Sequence, residues 1–241
     1  MTILTKILNF IIRLVTSLIC RIDKSDFSKV PHQGPLVVAL NHVSFLEAPL
    51  LFTHLQPRPL TALSKTENFE NPLFGFILRQ WNIIPIDRGK ADFTALQETR
   101  KRLKNGEILA IFPEGTRSRN GILQQGKSGV VLVALRSNAP ILPMAIYGSE
   151  KLGENLRRLR RTEFVVRVGE PFHINLNDER LNRENLEVIT DEIMYQIAAL
   201  LPEKYRGPYS DTEKVSYQYL EFAPEVAASA KNDTTSALQK D

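Results

Sequence analysis

A chain of 241 residues with 43% hydrophobic content is long enough for one domain with a substantial core. Its single cysteine, Cys20, excludes an intramolecular disulfide and fits a reducing compartment. The net charge of +4 is uneven: residues 208–241 hold six acids and three bases, leaving +7 on the rest. A basic body suits lipid head groups or a phosphorylated substrate. With no reading helix and no aromatic stacking platform, no nucleic-acid partner is expected.

Residues 1–21 are rich in Ile and Leu, yet they do not read as a spanning segment. Ile3, Leu4, Ile7, Leu8, Ile11, Leu14, Val15, Leu18 and Ile19 fall on one helical face. Thr2, Thr5, Lys6, Asn9, Arg13, Thr16, Ser17 and Arg21 fall on the other. Lys6 and Arg13 would sit within the hydrocarbon of a roughly 20-residue span, which is costly. The pattern describes an N-terminal amphipathic helix lying in the head-group plane of a membrane surface. The competing arrangement packs the apolar face on the domain's own core. An interrupted apolar region without a small-residue cleavage site argues against a secretory signal.

A linker at 23–34 follows, with turn residues Pro31, Gly34 and Pro35. Strands are then expected near 36–40, 60–64, 82–86, 107–112, 141–147 and 163–168. Helices are expected between and after them, near 45–55, 69–80, 91–104, 127–137 and 183–200. The alternation argues for an α/β fold with a largely parallel sheet flanked by helices. From Arg206 onward periodicity fades into Pro, Ser, Thr, Ala, Lys and Asp, the composition of a disordered tail. The expected organisation is a membrane-association helix at 1–22, an α/β domain at 23–205 and a tail at 206–241.

Candidate chemistry starts where the first of these strands ends. The apolar run Leu36, Val37, Val38, Ala39, Leu40 leads into Asn41 and His42, and Glu47 lies five residues beyond His42. On a continuous helix positions 42 and 47 point apart, but a turn between them lets the carboxylate fold back onto the imidazole. An acid that fixes the tautomer and steadies the imidazolium makes His a general base. A lone His at a strand end is otherwise a hydrogen-bonded structural residue. A second strand breaks into Phe112, Pro113, Glu114, Gly115, Thr116, Arg117 and Ser118. Between them Ile83, Ile84, Pro85 and Ile86 run into Asp87, Arg88 and Gly89. A guanidinium grips phosphate through two parallel hydrogen bonds, so Arg88 and Arg117 at strand ends fit a phosphorylated acceptor. The alternative is a surface salt bridge with Asp87 or Glu114. Glu114 could orient either Arg or the acceptor's hydroxyl.

These stretches resemble the phospholipid/glycerol acyltransferase family. Its first motif is His, four residues, Asp, here with Glu47 as the acid. Its second is an apolar run ending in Arg, matched by residues 83–88. Its Pro-Glu-Gly-Thr-Arg motif is matched in full by residues 113–117, and its apolar-Pro segment by Ile141, Leu142, Pro143, Met144, Ala145 and Ile146. The resemblance covers roughly residues 35–150. It implies catalysis by His42 and Glu47 and acceptor-phosphate binding by Arg88, Glu114, Gly115, Thr116 and Arg117. It also implies acyl transfer from a thioester, acyl-CoA or acyl carrier protein, to a glycerophospholipid hydroxyl, with 1-acylglycerol 3-phosphate as acceptor and phosphatidic acid as product. No cofactor or metal is expected, and the implied location is monotopic, on the cytoplasmic face of a membrane. A lysophospholipid, glycerol 3-phosphate or an unphosphorylated alcohol remain alternative acceptors. A non-catalytic lipid-binding protein on the same fold remains a rival.

Three further stretches compete for attention. Residues 121–128 satisfy the phosphate-loop pattern Gly, four residues, Gly-Lys-Ser, which would suggest a nucleotide hydrolase. Thr116–Asn120 before it is polar and loop-like, however, and no apolar strand ends at Gly121. Arg157, Arg158, Leu159, Arg160 and Arg161 make a basic turn that is either solvated or meets anionic lipid or coenzyme A phosphates. Residues 71–81, with Leu73, Phe74, Phe76, Ile77, Leu78 and Trp81, are apolar enough for core or for part of an acyl tunnel. His32, His54 and His173 share no metal-ligand spacing with His42.

Overall fold

The computed structural model describes residues 2–55, 57–87, 92–118 and 120–222. The chain opens with helix α1 (Ile3–Ile19), which runs straight into edge strand β1 (Cys20–Asp23). The centre of the fold follows as β2 (Leu36–Leu40), α2 (Glu47–His54), β3 (Leu60–Lys65), α3 (Pro72–Gln80), β4 (Ile84–Ile86), α4 (Phe93–Lys104), β5 (Ile108–Ile111), α5 (Gly129–Ser137) and β6 (Ile141–Tyr147). It closes with α6 (Leu152–Arg157), β7 (Thr162–Val168), β8 (Phe172–Ile174), α7 (Arg183–Ala199) and β9 (Leu220–Phe222).

The strand order is β1-β7-β6-β2-β5-β3-β4, with β8 on β6 and β9 on β8. Strands β6, β2, β5, β3 and β4 are mutually parallel, as the strand–helix alternation requires. β7 runs antiparallel to β6, and β1 runs parallel to β7. Successive side chains alternate between faces, so Leu36, Val38 and Leu40 join one core while Val37 and Ala39 join the other. This is why β2 reads as an unbroken apolar run: both of its faces are covered. Local chemistry starts the helices. Asn71 accepts from Phe74 N ahead of Pro72, Asp92 accepts from Ala95 N, and Asn182 and Asn185 cap α7 reciprocally.

Two expectations need correction. Residues 20–23 belong to the sheet, pairing in register from Cys20 with Thr162 to Asp23 with Val165, so no linker separates α1 from the domain. The expected tail is ordered through residue 222: β9 pairs with β8, and Tyr209, Tyr219 and Leu220 are buried. Buried Glu192 holds it there, accepting from Ser216 Oγ (2.6 Å), Gln218 N (2.7 Å) and Tyr219 N (3.1 Å). Such irregular segments are stabilised by distant partners and leave no periodicity to read. Residues 223–241 lie outside the described residues. The apolar patch at 71–81, open between core and tunnel, is split: Leu78 and Trp81 enter the core, while Leu73, Phe74 and Phe76 stand exposed.

The orientation of α1 is the reverse of a core helix. Its buried residues are Thr5, Asn9 and Thr16; Ile3, Leu4, Ile7, Phe10, Ile11, Leu14, Val15 and Leu18 are exposed. Most of the inward polar face is paired, with Asn9 Nδ2 left without a partner among the described residues. Thr5 Oγ1 donates to Gln80 Oε1 (3.2 Å), Trp81 Nε1 donates to Asn9 Oδ1 (2.8 Å), and the Arg13 guanidinium donates to the Thr53 carbonyl. Ile12 and Ile19, at the margin, pack against the core. Among the described residues no helix is long and apolar enough to cross a membrane.

Candidate active site

Buried β2 delivers Asn41 and His42 at its carboxyl end, beside the loop that leaves the carboxyl end of neighbouring β5. Asn41 does not face a reactant. Its Nδ2 donates to the Ile146 carbonyl and its Oδ1 accepts from Ile146 N, both at 2.8 Å, locking β2 to β6. His42 is the first residue to turn outward, with its side chain 21% exposed.

The turn after His42 folds Glu47 back onto the ring, bringing Glu47 Oε2 to 2.9 Å from Nδ1. Glu47 is fully buried. Its carboxylate also accepts from Ser44 N (2.9 Å to each oxygen), Ser44 Oγ (2.7 Å) and Ser149 Oγ (3.1 Å). It starts α2, where the helix dipole favours negative charge. With Nδ1 on the carboxylate, Nε2 is the remaining ring nitrogen, and it makes no hydrogen bond among the described residues. The Phe112 ring packs against the imidazole, centroids 4.1 Å apart.

The β5 loop is tied to the same point by backbone. Ser118 N donates to the His42 carbonyl (2.8 Å), and His42 N donates to Glu114 Oε1 (2.6 Å). Glu114 Oε2 accepts from Gln124 N (2.9 Å). Glu114, 2% exposed, thus accepts from a main-chain amide at each of its oxygens. Burial pushes its carboxyl up to about 7, against the two amide hydrogen bonds; the nearby Glu47 charge adds a little.

Gly115 adopts φ +68, and a Cβ there would come 3.0 Å from Lys127 Nζ, so the position needs glycine. The Lys127 ammonium therefore lies against the loop at Gly115, and the next two residues, Thr116 and Arg117, are exposed. Among the described residues Arg117 makes no salt bridge to Asp87 or Glu114, whose hydrogen-bond partners lie elsewhere. Arg88, the second expected clamp, lies outside the described residues. The main-chain amides of His42, Ser44 and Gly115, obvious candidates for oxyanion donors, are already engaged, the last with the Phe112 carbonyl at 2.9 Å.

Two contributors escaped the sequence. Ser44 carried a signal, since Ser, two residues, Glu is a capping-box spacing. Ser149 carried none; it is 102 residues from Glu47 and reaches it only because β6 lies beside β2.

The phosphate-loop mimic at 121–128 does not cradle an anion. Leu123 N donates to the Tyr205 carbonyl, Gln124 N to Glu114, Gly126 N to Tyr209 Oη and Lys127 N to the Pro113 carbonyl. Amides consumed in this way cannot wrap a phosphate. Among the described residues no group of three or more His, Cys, Asp or Glu could hold a metal ion.

The chain is 28% identical over 171 residues to the 1-acyl-sn-glycerol-3-phosphate acyltransferase of Bacillus subtilis, covering 71% of this chain and 83% of that one. It is 33% identical over 182 residues to a protein of the same name from Chlamydomonas reinhardtii, covering 73% of this chain and 52% of that one. The crystal structure of the 1-acyl-sn-glycerophosphate acyltransferase from Thermotoga maritima shares the fold, with a TM-score of 0.58 and 22% identity over 78% of this chain and 76% of that one. Residues 21–147, which span His42, Glu47 and the whole β5 loop, match the model of the Acyltransferase family, and the chain belongs to that family.

Proposed function

We propose that this acyltransferase moves a fatty acyl group from a thioester to the free hydroxyl of 1-acylglycerol 3-phosphate, giving phosphatidic acid. The observation that carries the reading is the His42–Glu47 contact of 2.9 Å at the end of β2, next to a loop offering Arg117 and Lys127. His42 Nε2 takes the proton from the acceptor hydroxyl as its oxygen attacks the thioester carbonyl. Collapse of the tetrahedral intermediate breaks the carbon–sulfur bond, and the imidazolium returns its proton to the departing thiolate. General-base assistance of this kind is worth about 10²–10⁴ in rate. Arg117 and Lys127, with Arg88 as a further clamp, hold the acceptor's phosphate so that its hydroxyl meets the imidazole.

Two adjoining cavities, of about 360 and 380 Å³, share Leu63, Ile86, Ile111 and Gly129. They run from Phe112, which touches His42, to Leu96 and Leu132 between α4 and α5. This apolar trench is our candidate for the acyl chain, in place of residues 71–81. Leu96→Trp should shift preference toward shorter acyl chains, and an unchanged chain-length profile would remove the trench from the mechanism.

The same reading places the enzyme on a membrane surface through α1. A helix that pairs its polar face with the protein and leaves eight large apolar side chains exposed is suited to the acyl boundary of a bilayer. The deciding experiment supplies purified protein with labelled acceptors, with acyl-CoA and with acyl carrier protein thioesters. Phosphatidic acid formed from 1-acylglycerol 3-phosphate supports the assignment. Tight lipid binding without thioester-dependent acylation would instead favour a non-catalytic lipid-binding protein.

A further inference from the structure

The basic turn after α6 is not used by the chemistry above. Leu159 is 97% exposed at φ +53, a conformation leucine rarely adopts. Two hydrogen bonds hold the turn, from Leu159 N to the Leu156 carbonyl (3.1 Å) and from Arg160 N to the Asn155 carbonyl (2.8 Å). Leu156 is also exposed, at 44%. The side chains of Arg157 and Arg160 have no acidic partner among the described residues, and Arg158 meets Glu154 only at the exposed surface.

Topology sets this turn beside α1. Thr162 pairs with Cys20, so residues 159–161 and the last turn of α1 enter the sheet at the same end. Arg161 ties them together, donating to the Ser17 carbonyl (2.7 Å) and the Cys20 carbonyl (2.6 Å). Because β7 is antiparallel to β6, and β6 parallel to β2, this is also the sheet end that carries His42. At that end Ser149, on Glu47, is followed directly by α6, which leads to the turn.

We infer that residues 156–161 form a second membrane contact, in which Leu159 enters the acyl boundary and Arg157, Arg158 and Arg160 engage the phosphates of anionic lipids. The inference rests on the membrane reading of α1 and extends it: two contacts, one of them at the catalytic end of the sheet, fix which way His42 faces over the bilayer. An exposed leucine among arginines matches the layering of a leaflet, apolar below and anionic above. Continuity with the exposed face of α1, through Leu18 and Arg161, favours a bilayer over a soluble phosphate donor.

The test compares the full chain with R157Q/R158Q/R160Q and with Leu159→Asn, which keeps a residue tolerant of positive φ. Arg161 is left in place because it caps α1. Binding is measured by co-sedimentation with vesicles of phosphatidylcholine alone and of phosphatidylcholine with phosphatidylglycerol at 7:3. Roughly fivefold per arginine near an anionic surface predicts about a 100-fold loss for the triple variant on the mixed vesicles at low salt, with little change on phosphatidylcholine. Leu159→Asn should weaken binding severalfold to both, and activity in detergent micelles should hold for all variants. Equal binding of wild type and triple variant to the mixed vesicles overturns the turn's role and leaves α1 as the anchor. Failure of the wild type to bind either vesicle overturns the membrane reading itself. Intact vesicle binding with a raised KM for acyl-CoA in micelles would also overturn the inference, assigning the arginines to the donor's phosphates.

Discussion

The turn after β2 and the loop after β5 each bury one carboxylate from a sequence motif, and the two are put to different use. Glu47 is fully buried and reaches a side chain, the imidazole of His42, with serine donors filling its other positions. Glu114 is 2% exposed and accepts from two main-chain amides, that of His42 after β2 and that of Gln124 further along its own loop. The first carboxylate acts on the ring; the second holds in place the backbone from which that ring projects. Neither role follows from residue type or burial, which the two share. What separates them is which donors the fold delivers to each pair of oxygens.

The largest effects should come from the ring itself. His42→Ala is expected to cut kcat by about 10²–10⁴-fold with little change in thermal stability, since the ring is partly exposed. Near-normal turnover by that variant, measured with saturating acceptor, would refute the general-base role. Glu47→Gln keeps the shape but loses the charge that steadies the imidazolium, for a loss of about 10²–10³-fold in kcat.

Glu114→Gln should cost less, about 10–100-fold, because its amide nitrogen cannot accept the second main-chain N–H and His42 shifts rather than disappears. Here pH sharpens the contrast. The folded carboxyl titrates at about 7 against 4.5 without the fold, so the folded state holds the proton more tightly. Its contribution is fully present below pH 4.5 and is lost as pH rises through 7, a fall of about 3 kcal/mol. Urea unfolding at pH 5 and pH 8 should show the wild type losing more stability than Glu114→Gln over that interval. Equal losses would mean that another group carries the dependence.

Smaller changes probe how the Glu47 nest is built. Shortening the side chain by one methylene moves the carboxylate about 1.5 Å, within reach of the imidazole but away from part of its serine donors. Glu47→Asp is accordingly expected to retain activity within about tenfold of wild type. Ser149→Ala removes one 3.1 Å hydrogen bond of several and should lower kcat only about fivefold, equivalent to about 1 kcal/mol. If Ser149→Ala proved as damaging as Glu47→Gln, the carboxylate would be held chiefly from β6 and not from its own turn.

Much of this was legible in the chain. Unbroken apolar runs such as Leu36 to Leu40 mark doubly covered strands because a parallel sheet exposes neither face, and the His–Glu spacing marks a turn because no helix would join those positions. Local sequence also set the amphipathic character of α1, whose apolar and polar residues segregate at helical spacing. It could not say which face turns inward; Gln80, Trp81 and Thr53 decided that by offering partners to Thr5, Asn9 and Arg13. The order of residues 206–222, the reach of Ser149 to Glu47 and the main-chain use of Glu114 likewise came only from the tertiary structure. Each depends on a hydrogen bond between segments far apart in the chain, and such a bond leaves no period, spacing or composition behind it in either partner's sequence.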